Sequence, residues 1–268
     1  MRREPFAARR GFYPANPKAL AAELDRCLPE AKAPRRALAV VAPHAGYPYS
    51  GLVAGKVYAA VEVPEHVIVL CPKHTRYGSP LAVMTSGSWV IPGAEIPVDE
   101  EVARRVRDGC ELDEDEEAHL AEHSLEVQLP FLHRRNPAFR LTPVALGVGD
   151  WPTLRKLGRR LAETVRAFGS PTLLVASSDM SHESGDRGRV KRNDDLAIER
   201  MLALDAEGLV RVVREHEVTM CGFAPAAVAI EAAKALGAAK AELLGYETSL
   251  DHGGTEDWIV GYAGLVFE

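Results

Sequence analysis

ALAVVAPHAGYPYSG, residues 37–51, joins six residues that are apolar throughout to a segment rich in glycine and proline that carries His44. A short apolar run without polar alternation suits a strand buried on both faces of a sheet. The same arrangement recurs twice. Val67–Cys71 (VIVLC) runs into Pro72-Lys73-His74, and Thr172–Ala176 (TLLVA) runs into Ser177-Ser178-Asp179-Met180-Ser181-His182. Leu141–Leu146 and the Trp258–Phe267 region read as further strands, and Leu81–Thr85 with Ser88–Ile91 reads as a hairpin.

Helical patterns alternate with these strands. Asn16-Pro17 opens one, with Asn as N-cap, Pro at the first helical position and Leu20, Leu24 and Leu28 on one face. Val98–Val106, Thr153–Phe168, Asp194–Leu204 and Phe223–Leu236 supply the others. This alternation predicts an α/β fold, a single-domain three-layer αβα sandwich over residues 1–268 with a mixed, largely parallel central sheet. No internal repeat, low-complexity tract or Gly/Ser linker divides the chain.

Composition narrows the function classes. A net charge of -6 with 26% charged residues argues against a nucleic-acid binder, which needs clustered cations. Arg9-Arg10, Arg35-Arg36 and the acidic stretch Glu111–Glu117 read as solvated surface. The N-terminal residues carry charge but no apolar core of a secretory signal, and no apolar run is long enough to span a bilayer. Cys27, Cys71, Cys110 and Cys221 are widely spaced, so the expectation is free thiols in a cytoplasmic protein with no membrane or nucleic-acid partner.

The chemistry collects at strand ends. Open α/β sheets bind ligands beyond the carboxyl ends of their strands. Three strands therefore deliver His44, His74, Asp179 and His182 to one edge, a set that points to a metal or catalytic pocket more than to separate loop histidines. The neighbouring Gly and Pro residues read as tight turns aiming these side chains inward. Cys221 precedes the helix at Phe223–Leu236, where a helix N-terminus favours thiolate and suits ligation or nucleophilic attack; a small buried hydrophobe is the plainer reading. In Glu122–Pro130, helix capping accounts for Ser124 and Glu126 but not for His123, which is either a partner of the pocket or structural. His66, His119, His133, His216 and His252 read as surface residues.

Phe12-Tyr13-Pro14, PHAGYPYSG at Pro43–Gly51, PKH at Pro72–His74, EHSLEVQLPFL at Glu122–Leu132, SSDMSH at Ser177–His182, Cys221-Gly222, and YETS with VGYAG near the end occur in that order. Together they resemble the Memo family, the bacterial AmmeMemoRadiSam system protein B, across nearly the whole chain. That family is similar in fold to class III extradiol dioxygenases, which are non-haem Fe(II) enzymes. The resemblance implies that His44, His74 and Cys221 are metal ligands, the Cys standing where the dioxygenases use Glu. It also implies that His182 is an acid/base group with Asp179 in the same pocket, and that His123 and Tyr49 lie around it. A divalent metal is expected, Fe(II) ahead of copper or zinc, because a thiolate broadens the choice. The implied activity is a metal-dependent oxidoreductase or redox protein acting on an unidentified small molecule. The competing readings are a non-catalytic peptide- or metal-binding module and a zinc hydrolase. Implied partners are a radical-SAM enzyme and a companion protein.

Overall fold

The computed structural model describes residues 1–30 and 33–268. Its central sheet runs in the order β10 (His182–Glu183), β12 (Ile259–Phe267), β2 (Ala39–Ala42), β9 (Thr172–Ser177), β3 (His66–Pro72), β8 (Arg140–Leu146), β4 (Leu81–Val83) and β7 (Asp113–Glu114). A further strand, β11 (Ala241–Thr248), pairs with β12 off this path. The middle strands β2, β9, β3 and β8 are mutually parallel, whereas β12 joins β2 antiparallel and β4 joins β8 antiparallel. The sheet is thus mixed around a parallel centre, as expected from its apolar strands, and every residue of β2 and β9 is buried.

Helices cover both faces. On β12, a Cβ at Gly264 would meet Val53 and Val57 of α2 (Tyr47–Ala60), while one at Gly261 would meet Asp194 of α8 (Arg187–Leu202). Positions three apart on a strand point to opposite faces, so α2 and α8 lie on opposite sides. Beside α2 pack α1 (Pro17–Cys27) and α6 (Leu129–Arg135). The α8 side continues through α9 (Ala206–Glu215) to α10 (Phe223–Leu236), which lies across β2, β3 and β9, and then to α7 (Trp151–Phe168) and α3 (Glu100–Cys110). The result is the three-layer sandwich.

Three expectations change. Leu81–Thr85 and Ser88–Ile91 do not form a hairpin with each other. β4 joins the main sheet, whereas β5 (Ser88–Ile91) turns back on β6 (Ala94–Pro97) and pairs parallel with β1 (Arg2–Arg3) in a small separate sheet. Gly87 and Gly93, both at positive φ, place chain reversals on either side of β5. The segment after His44 is not a string of turns. It is the start of α2, with Pro48 in the first turn, and Gly51 and Gly55 serve helix packing, since a Cβ at Gly55 would overlap the Cys27 carbonyl of α1. The helix expected from Asp194 begins at Arg187, capped by the Asp186 side chain on the Arg189 amide.

Histidines expected at the surface also divide. His216 is exposed, but His119 is fully buried, in α4 (Glu117–Leu120). His66 and His252 are part-buried against Asp99 and Glu247 at 2.6 and 2.8 Å. The acidic stretch is largely exposed as expected, with Asp113 and Glu114 forming β7 at the sheet edge. No described helix is long and apolar enough to cross a membrane.

Candidate metal centre

Parallel neighbours end on the same edge, so β2, β9 and β3 bring Pro43-His44, Ser178-Asp179 and Lys73-His74 together by topology alone. The fourth contribution comes from the loop before α10. Gly222 donates its amide to Ser178 Oγ at 3.0 Å, and a Cβ there would strike the Ser177 carbonyl. Only glycine lets that loop close on the end of β9, which carries Cys221 into the group. Among the described residues, ligand atoms of His44, His74 and Cys221 lie within 4.8 Å of one another.

His44 is buried, and its amide and Nδ1 are both held. Its amide donates to Asp179 Oδ1 at 2.7 Å, and the Ala45 amide to the same oxygen at 3.2 Å. Its Nδ1 lies 2.9 Å from Ser177 Oγ. That hydroxyl already donates to the Ser124 carbonyl at 2.7 Å and accepts from Gln128 Nε2 at 2.8 Å. Having one proton to give, Ser177 must accept from His44, so the proton sits on Nδ1 and the Nε2 lone pair is free. Nε2 faces Cys221 Sγ at 3.3 Å. Burial, then the like charges of His123 and His74, hold the His44 pKa well below the ordinary histidine value, which keeps the ring neutral.

His74 has its Nδ1 tied in the same way by different chemistry. It sits at the rim, and Glu122 accepts both its amide, at 2.7 Å, and its Nδ1–H, at 2.9 Å. Glu122 is the N-cap of α5 (His123–Glu126) and also accepts from the Ser124 amide and hydroxyl. Burial works against its charge, but these donors outweigh it and draw the carboxyl down to about 2. The carboxylate in turn raises His74 despite the opposing effect of burial. A carboxylate on Nδ1 that leaves Nε2 free is the usual support of a metal-bound imidazole.

These residues fit a metal. Sulfur and nitrogen sharing one ion at bonds of ~2.3 and ~2.0–2.1 Å stand about 3.1 Å apart at a right angle and about 3.6 Å apart at the tetrahedral angle. The Cys221–His44 separation of 3.3 Å falls between. A second grouping, His74, Glu122 and His123, is equally compact. Its carboxylate, however, is already committed to four donors, so it reads as support for His74.

Cys221 departs from expectation in one respect. Burial, reinforced by Asp179, pushes its thiol above the ordinary range, so the helix N-terminus does not yield a thiolate in the metal-free chain. A bound cation would be needed to deprotonate it. Asp179 is buried and raised by that burial; Oδ1 is spent on two backbone amides, and Oδ2 lies 4.0 Å from His44 Nε2. His182 is fixed by Thr219. Its amide donates to Thr219 Oγ1 at 2.7 Å, and Nδ1 meets the Thr219 carbonyl at 3.1 Å. A carbonyl can only accept, so His182 also carries its proton on Nδ1 and keeps Nε2 as a base. His123 stacks tilted against His74, ring centroids 4.6 Å apart, and stands edge-on to His44 at 5.5 Å. Tyr49 is 41% exposed and lines a cleft of about 440 Å³ with Trp258, Val260 and Tyr262.

Sequence reasoning passed over Ser177, Gln128, Glu122 and Glu126 as site residues. All are fully buried and polar. For all but Ser177 the available signal is their setting, because in EHSLEVQLPFL polar residues at 122–124, 126 and 128 are interleaved with Leu125 and Val127, a spacing that no solvated helix face explains.

A family model described as "Memo-like protein" matches residues 3–266. A MEMO1 family protein of Methanopyrus kandleri is 40% identical over an alignment covering 100% of this chain and 99% of that protein. One of Aquifex aeolicus is 37% identical, covering 99% and 98%. Among solved structures, an uncharacterized protein of Escherichia coli K12 superposes with a TM-score of 0.54 at 14% identity, over 87% of this chain and 100% of that one. That likeness speaks to the fold alone.

Proposed function

The chain belongs to the Memo family, and from that premise we propose that it binds one divalent metal through His44 Nε2, His74 Nε2 and Cys221 Sγ and uses it in a redox reaction on a small molecule. The observation that carries this reading is the matched tautomer state of the two imidazoles. Each has Nδ1 tied to an acceptor within 2.9 Å, so both present a bare Nε2 beside the thiol. Structural histidines have no need of such an arrangement.

Fe(II) is our assignment, on the similarity to the extradiol dioxygenases. The sulfur donor makes copper and zinc the competing identities. When bound, the ion supplies an electrophilic centre that lowers the pKa of whatever oxygen ligand it holds. The protein's own part is positional. His44 and His74 fix two coordination directions, Cys221 balances charge, and His182 Nε2 takes or returns a proton at the substrate.

The fixing of His182 Nδ1 on the Thr219 carbonyl also favours chemistry over passive binding, because a storage site has no use for an oriented imidazole. Metal analysis of protein purified without chelators or a histidine tag, followed by oxygen uptake with a panel of phenols, tests the proposal. One equivalent of iron with metal-dependent uptake supports it. One equivalent of zinc and no uptake would favour hydrolysis, and no metal in any preparation would refute the site.

A further inference from the structure

Arg3, three residues into the sequence, is a fully buried arginine. It is fully enclosed against Trp89, its guanidinium 4.0 Å from the ring centroid. Its three nitrogens reach three points on one short segment. Nε donates to the His119 carbonyl at 2.8 Å, one terminal nitrogen to the Glu122 carbonyl at 2.8 Å, and the other to Glu126 Oε2 at 2.6 Å. Glu126 is equally buried and gathers the rest of the N-terminal segment. It accepts from the amides of Phe6, Ala7 and Ala8 and from the Tyr13 hydroxyl, the last at 2.6 Å.

The segment so gripped, residues 119–126, carries Glu122 and His123. Its helices α4 and α5 are four residues each. A helix that short cannot hold its own shape, because nucleation costs more than one turn returns. External contacts therefore set where the Glu122 carboxylate stands. The same N-terminal residues tie this segment to the opposite wall. The Phe12 ring packs on His123 with centroids 4.5 Å apart, and the Phe12 carbonyl accepts the Tyr47 amide at 2.7 Å, at the start of α2 just after His44.

We propose that Arg3 and Glu126 are positioning residues of the metal centre: by pinning residues 119–126 to the N-terminal segment they fix Glu122, and through it the direction of His74 Nε2. The inference rests on the metal reading given above. It adds that tight binding needs residues 3–13 seated, although none of them is a ligand. Arginine suits this role better than lysine, since a planar fork reaches three acceptors at fixed angles and an ammonium does not.

The test is Co(II) binding to the full-length chain, read by competition titration and by the visible and near-ultraviolet bands, at a temperature where circular dichroism shows each variant folded. Arg3→Lys and Glu126→Gln should each weaken binding roughly 10- to 100-fold, as loss of an orienting partner does, and shift the bands because His74 is redirected. Tyr13→Phe removes one of the donors to Glu126 with little threat to folding, and should weaken binding roughly 2- to 10-fold. A fall in melting temperature with parent-like affinity and spectrum would show a purely structural clamp and overturn the proposal. So would parent-like affinity in Tyr13→Phe if the other two variants fail to fold. His44→Ala separates the two claims. If it abolishes binding while Arg3→Lys binds normally, only the positioning role fails; if it too binds like the parent, the metal site fails and takes this inference with it.

Discussion

His44 and His74 both tie Nδ1 and turn Nε2 to the thiol, by opposite means, and the contrast separates what a sheet can do from what a helix must do. His44 leans on a neutral hydroxyl, Ser177, that is part of β9 itself, and the whole arrangement is buried and saturated. His74 leans on a carboxylate, Glu122, borne by a four-residue helix and held from outside. The sheet edge supplies rigidity without charge. The helical wall supplies charge and has to borrow its rigidity. The rings accordingly shift in opposite directions, His44 towards the neutral form and His74 towards the protonated one.

The largest expected effect removes the contrast altogether. His44→Ala, His74→Ala or Cys221→Ser should abolish stoichiometric metal binding while circular dichroism stays native, because the ligands sit on loops at the sheet edge. Full metal content in any of the three by elemental analysis would place the ion elsewhere. Next in size is His182→Ala, which touches neither wall. It should keep the metal and lose whatever turnover the parent shows by ~100- to 10,000-fold; unchanged turnover would remove His182 from the chemistry.

Smaller and more discriminating is the pair of support mutations. Glu122→Gln should weaken metal binding about 10- to 100-fold. Ser177→Ala should cost stability instead, about 1–3 kcal/mol, because His44 Nδ1–H loses its acceptor and the Ser124 carbonyl its donor in the core. Denaturant melts and metal titrations of both variants check this, and identical profiles for the two would erase the distinction between the walls.

The smallest effect is in pH. Glu122 is drawn from 4.5 to about 2, so its contribution to the metal-free fold is complete above pH 4.5 and fades as pH falls towards 2. His74, raised above 6.5, contributes fully below that value and loses its share as pH rises through the higher one. Urea melts of parent and Glu122→Gln should therefore converge in acid. A gap that persists unchanged to pH 2 would deny Glu122 its charged state.

How much of this could be read beforehand follows the same division. The apolar runs at β2, β3 and β9 announce parallel buried strands, and parallel strands put His44, His74 and Asp179 on one edge. Period and burial are local signals, and they survive into the fold. The borrowed rigidity was invisible, because Arg3 and Glu126 are 123 positions apart and each looks like an ordinary surface charge in its own neighbourhood. α2 was missed for a related reason. Its Gly51 and Gly55 resemble turn residues unless one knows that α1 presses against them. The Ser88–Ile91 strand is legible in the sequence but its partner is not, since β6, with its exposed Glu95 and Pro97, lacks a strand's apolar signature.

The most direct test is a crystal structure of the chain soaked with Fe(II) under anaerobic conditions, with data collected on both sides of the iron absorption edge. The account predicts one anomalous peak bonded to His44 Nε2, His74 Nε2 and Cys221 Sγ at roughly 2.0–2.3 Å, with Glu122 still on His74 Nδ1. A peak bonded instead through His123 and Glu122, or no peak at this edge of the sheet, would contradict it.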